Sequence, residues 1–87
     1  MDTYSILWKP SAVKDIKRID RQATHRIIRA IESLSLNPVP PGVRKMHGSD
    51  RSYRLRVGDY RVIYSLFHSH LIIEVLRVRH RKDAYRA

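Results

Sequence analysis

Residues 52–64 read SYRLRVGDYRVIY. Tyr53, Leu55 and Val57 alternate with Arg54 and Arg56, and after Gly58-Asp59 the series resumes as Tyr60, Val62 and Tyr64 around Arg61. A period of two on both sides of a Gly-x pair is the pattern of a β-hairpin with a tight turn. If Gly58-Asp59 is the whole loop, Val57 pairs with Tyr60 and Arg56 lies across from Arg61. Like charges set opposite one another cost a sheet stability. Three arginines on one face of one hairpin therefore imply an anion for that face.

The whole chain leans the same way. It has 87 residues, a length for one domain spanning residues 1–87, and the hydrophobic content of 43% is ordinary for a folded protein. The net charge of +10 selects for polyanionic or acidic partners: nucleic acid, an acidic protein or an anionic surface. Residues 44–87 carry net +7 of that charge and residues 1–43 only +3, so the site is expected in the second half. There is no cysteine, which rules out disulfides and thiolate metal sites. The N-terminus lacks the pattern of a signal peptide, and no apolar run nears the ~18 residues of a membrane span. A cytoplasmic protein with no membrane partner is expected.

Upstream of the hairpin, Tyr4–Trp8 is short, apolar and β-prone, a first strand. Pro10 can open a helix, because its missing N–H is not needed in the first turn. Ala12, Val13, Ile16 and Ile19 follow at helical spacing. Asp20 suits the N-cap of a second helix with Ala23, Ile27, Ile28, Ile31 and Leu34 on its buried face. The short connection predicts a helical hairpin. Residues 37–42 (NPVPPG) form a stiff connection, and Arg44–Asp50 reads as a short strand leading into a turn at Gly48.

Downstream, His68-Ser69-His70 separates the strand 60–67 from a last strand over 71–79. With a three-residue loop Phe67 pairs with Leu71, Arg61 faces Arg77, and Val62 faces Leu76. Arg54, Arg56, Arg61, Arg77 and Arg79 then share one face with Ile63 and Val75, while Leu55, Val57, Val62, Tyr64, Leu66, Ile72, Leu76 and Val78 share the other. Glu74 falls against Tyr64 on the apolar face, which this register does not explain. The predicted fold class is α+β: an N-terminal strand and a helical hairpin packed on one face of a mostly antiparallel sheet, with the other face open and basic.

Arginine forks bind phosphate oxygens through paired bonds and keep their charge. Strand residues two apart are roughly 7 Å apart, so Arg54 and Arg56 can hold successive groups of an extended anion. A face that was merely solvated would mix signs, and Asp59 is the one acid near these arginines. The five histidines lack ligand spacing, so no metal is expected. His80 adjoins Arg81 at the mouth of the basic face. Tyr85 suits stacking on a base or proton transfer, and equally suits packing the tail on the sheet.

The core YRLRVGDYRVIY and the ending IIEVLRVRHRKDAYR together resemble the RelE/ParE superfamily of toxins from type II toxin–antitoxin systems, on the RelE-like side. Trp8, Pro10 and Ala12 before the helical hairpin fit the same pattern, so the resemblance spans nearly the whole chain. Its most specific parts are Tyr60-Arg61-Val62 with Tyr64, and His80-Arg81 leading to Tyr85.

The resemblance implies a RelE-like fold and a ribosome-dependent endoribonuclease that cleaves messenger RNA in the ribosomal A site. In that reaction the 2′-hydroxyl attacks the adjacent phosphate, leaving a 2′,3′-cyclic phosphate and a 5′-hydroxyl. It assigns Arg54, Arg56, Arg61, Arg81 and Tyr85 to catalysis. Arg61 would stabilise charge on phosphorus, Arg81 would act on the leaving oxygen or as a second clamp, and Tyr85 would orient a base. The base is left open among Arg54, Arg56 and His80. Lys45, Arg77, Arg79, His80 and Lys82 are expected to contact RNA. No cofactor is implied. The implied partners are an acidic RelB-like antitoxin in a hetero-oligomer, the ribosome and messenger RNA. The chain stops two residues after Tyr85, so regulation by a longer C-terminal helix is not expected. A ParE-like inhibitor of DNA gyrase on the same fold, or a non-catalytic RNA-binding module, is the alternative.

Overall fold

A computed structural model describes residues 3–82. The elements in chain order are β1 (Ser5–Trp8), α1 (Pro10–Lys17), α2 (Arg21–Ser33), β2 (Arg44–Lys45), β3 (Ser52–Val57), β4 (Tyr60–Phe67) and β5 (Ile72–His80). They build one five-stranded sheet in the order β1-β5-β4-β3-β2. β1 runs parallel to β5 and every other pairing is antiparallel. The expected α+β architecture and short strand before Gly48 are both present.

The helices form where the pattern placed them. Pro10 starts α1, and the Asp20 carboxylate accepts the Ala23 N–H at 3.4 Å at the start of α2. Their apolar positions Ala12, Ile27, Ile31 and Leu34 meet Val62, Tyr64, Leu66, Ile73, Val75 and Val78 of the sheet in one core. Each large aliphatic side chain buried there contributes roughly 1.5–3 kcal/mol. Ile28, expected inside, is only partly buried. Tyr64 is fully buried and stacks on Tyr53 with ring centroids 5.8 Å apart. Its hydroxyl donates to the Pro38 carbonyl at 2.5 Å, which ties the proline-rich connection to the core. Burial pushes the Tyr64 hydroxyl well above the usual tyrosine range, and neighbouring Tyr53 adds to the shift.

The β3–β4 hairpin has the expected register, with Val57 opposite Tyr60 and Arg56 opposite Arg61. Gly58 has φ +59°, and Asp59 is not among the positive-φ residues. Glycine at the first central position is what a type II′ turn requires.

The β4–β5 register differs from the expectation. Phe67 pairs with Ile72, and the loop has four residues because Leu71 takes φ +53°. A left-handed leucine costs about 1–2 kcal/mol. In that conformation the Leu71 carbonyl accepts the Ser5 N–H at 2.8 Å and so engages β1. Tyr64 then faces Val75, and Glu74 faces Ser65 on the opposite side from the core, which removes the difficulty with Glu74. Between the Tyr64–Val75 and Ile63–Arg77 pairs lies a bulge, at Leu76. Beyond it Val62 faces Val78 and Arg61 faces Arg79, two residues from the register that a three-residue loop predicts. Ile73 and Val75 thus take the core places expected for Ile72 and Leu76.

Candidate functional site

The face of the sheet away from the helices is open, and cross-strand pairing stacks arginines on it. Arg44 of β2 lies opposite Arg54 of β3. Arg56 of β3, Arg61 of β4 and Arg79 of β5 form a row across three strands. Directly opposed residues in antiparallel pairs have Cα atoms about 4.5–5.5 Å apart. A cleft of about 380 Å³ is lined by Gly42, Arg44, Arg54, Arg56 and Arg61. Arg56 is braced by its own turn, with Nε–H donating to the Gly58 carbonyl at 3.2 Å.

Neither a carboxylate nor an imidazole lines this cleft among the described residues. It can therefore grip phosphate oxygens with forked donors and stabilise extra negative charge on phosphorus. Among the described residues, its lining offers no side chain of ordinary basicity for taking a proton at neutral pH. Among the described residues, no three His, Cys, Asp or Glu side chains are grouped to hold a metal.

The family model for the ParE toxin of type II toxin–antitoxin systems (parDE) matches residues 6–85. The chain belongs to this toxin family. Putative toxin RelE1 of Methanocaldococcus jannaschii is 31% identical over 77 residues, covering 85% of this chain and 86% of the relative. Toxin RelE3 of the same organism is 34% identical over 84 residues, covering 92% and 93%. The crystal structure of the archaeal RelE–RelB complex from Pyrococcus horikoshii superimposes with a TM-score of 0.82 at 31% identity, covering 98% of this chain and 99% of that one. The protein is thus a toxin of a RelE/ParE-type toxin–antitoxin system.

The toxin brings Arg54, Arg56 and Arg61 together as the hairpin register requires, with Arg79 at the end of the row. Arg77 is engaged elsewhere. Its Nε–H donates to Asp15 Oδ2 at 2.9 Å and its Nη2–H to Asp15 Oδ1 at 3.0 Å, so its charge is matched by a carboxylate on α1. His80 lies opposite Tyr60, with ring centroids 5.2 Å apart and edge to face. Strand alternation puts His80 on the side of Val78, away from the arginine row. Its Nδ1 accepts the Lys82 N–H at 3.2 Å.

Arg81 is exposed, and its N–H donates to the Asp59 carbonyl at 2.7 Å, which ties the end of β5 to the β3–β4 turn. Lys82 is exposed beside it. Lys45 lies opposite Tyr53, one residue out of step with the cleft. Tyr85 is outside the described residues. Arg44, absent from the expected site, lines the cleft where Lys45 does not. A two-residue strand has no periodicity from which its pleat could be read. Among the described residues, no helix is long and apolar enough to cross a membrane.

Proposed function

We propose that the toxin is a ribosome-dependent endoribonuclease that cleaves messenger RNA in the ribosomal A site and so stops translation. One observation carries this reading: the cleft on the open sheet face, whose lining brings together Arg44, Arg54, Arg56 and Arg61. In the reaction the 2′-oxygen forms a bond to the adjacent phosphorus as the bond to the 5′-oxygen breaks. The products are a 2′,3′-cyclic phosphate and a 5′-hydroxyl, so no water is consumed in this step. Arg54 and Arg56 clamp the phosphates on either side. Arg61 balances the charge that builds on the phosphorane oxygens, and Arg81 acts at the leaving oxygen. Tyr85 orients a base, and Arg44, Arg79 and Lys82 hold flanking phosphates. The 2′-hydroxyl proton passes to solvent or to a group of the assembled ribosome, and the leaving oxygen regains a proton from the same pool. In this reading the reaction is completed on the ribosome, in the cytoplasm.

The inhibitory partner in this reading is an acidic RelB-like antitoxin. Its relative from Pyrococcus horikoshii was crystallised as a RelE–RelB complex. The open face suits such a partner. Beyond the arginines it carries Leu7, Phe67 and Ile72 beside His70 and Glu74, with Leu7 half exposed, so an amphipathic segment with its acids turned to the arginines would meet both parts.

Primer extension on cellular messenger RNA after induction tests the reading. Discrete cuts within translated codons, lost in Arg61→Ala, are expected. Intact messenger RNA with DNA damage would refute it in favour of a gyrase-directed toxin on the same fold. Salt-sensitive RNA binding with neither cleavage nor growth arrest would leave a binding module.

A further inference from the structure

We infer that Asp15, together with Ser11, is a positioning residue: it locks the bulge of β5 and thereby sets Arg79 beside Arg61 on the arginine face. The inference rests on reading that face as an RNA-phosphate site. Val75 and Val78 are both buried, at 0% and 3% exposure, although they are three residues apart. Strict alternation cannot bury both. The bulge absorbs Leu76 as an extra residue and inverts the phase of everything after it. Without it, a strand with Val75 inside would turn Arg79 toward the core and Val78 toward solvent.

Bulges need their displaced backbone groups satisfied, and here the sheet cannot do it. β1 makes its last pair between Trp8 and Val75, and the Lys9 N–H donates to the Val75 carbonyl at 2.9 Å. Past that point, among the described residues, β5 has no neighbouring strand on this side. Helix α1 takes the place of one. The Ser11 hydroxyl donates to the Leu76 carbonyl at 2.8 Å, and Asp15 Oδ2 accepts the Val78 N–H at 2.9 Å. These two residues are four apart, on one face of the helix. The same carboxylate holds Arg77 in a forked pair, turned to the helix and away from the row that Arg79 completes.

The test is a double-mutant cycle on the full chain, read by the salt dependence of binding to a short single-stranded oligouridylate. Binding isolates this inference from cleavage on the ribosome. Arg79→Gln should lower the slope of log affinity against log salt by about 0.7, the value for one phosphate contact on a single strand. In the Asp15→Ala background the same change should leave the slope unaltered, because Arg79 is already misplaced. Arg77 is released in both arms of that background, so its new freedom cancels. Asp15→Asn keeps an oxygen for the Val78 N–H and should restore the Arg79 effect. An equal loss in both backgrounds, with both variants folded by circular dichroism, would overturn the positioning role. No loss from Arg79→Gln in the parent would overturn it too, along with the phosphate role of Arg79, while leaving the cleavage reading to primer extension. If Asp15→Ala does not fold, Ser11→Ala takes its place with the same two outcomes.

Discussion

The row Arg56–Arg61–Arg79 makes a prediction with two opposite signs. Arg61 and Arg79 are directly paired across β4 and β5, so two like charges project from backbone sites about 4.5–5.5 Å apart. A like-charged cross-strand pair costs a sheet roughly 0.2–1 kcal/mol. Arg79→Gln keeps much of the aliphatic stem and removes one charge of that pair. Stability of the free toxin should therefore rise by about 0.5 kcal/mol at low salt. For a domain of this size that is about 2–4 °C in Tm. Screening supplies the control. The Debye length is about 30 Å at 0.01 M and about 3 Å at 1 M, so the gain should shrink toward zero across that range. Affinity for single-stranded RNA should fall in the same variant. Thermal melts at several ionic strengths, paired with fluorescence anisotropy, measure both. A variant less stable than the parent at low salt, or a gain indifferent to salt, would refute the view that this face is held under repulsion.

Two further outcomes test the fold that carries the site. Gly58→Ala should cost about 1 kcal/mol, because φ +59° disfavours any β-carbon although the added atom would meet nothing within 4 Å; urea titration checks this, and Gly58→Asn should cost less. Tyr64→Phe should cost about 1 kcal/mol through the lost bond to the Pro38 carbonyl, also by urea titration. That hydroxyl titrates higher in the folded chain than in the unfolded one. Below about pH 10 both states keep the proton, so its contribution is constant there. Above that the unfolded chain releases it first and stability falls. The parent should thus lose more stability than Tyr64→Phe between pH 9 and 11, and an equal loss in both would refute the assignment.

The parts of this toxin legible in its sequence are those governed by local rules. Period two around Gly58-Asp59 specified the hairpin and the placement of Arg54, Arg56 and Arg61. Helical spacing and Asp20 specified α2. The β5 register was hidden by two non-local choices. Leu71 adopts a conformation that leucine seldom takes, and it does so where its carbonyl engages a strand 66 residues earlier. The bulge at Leu76 falls where adjacent Val75 and Leu76 break the alternation of VLRVR, and LRVR read as a regular strand hides which of the two is the extra residue. Arg77 looked equivalent to Arg79, but its partner Asp15 is 62 residues away on α1. Arg44 belongs to the site by pairing with Arg54, which two residues of strand cannot announce.

The place of β1 has a consequence for how the chain acquires its shape. The first strand made pairs with the last, Ser5 with Ile72, and β5 is the one strand that both β1 and β4 flank. Helices α1 and α2 can coil early and α2 can meet β3 and β4, but α1 packs on β5 and the core closes only when β5 arrives. Native contacts so widely separated along the chain make for slow folding and a long exposure of unpaired strand edges. Synthesis therefore passes through almost the entire chain before an ordered arginine row can exist.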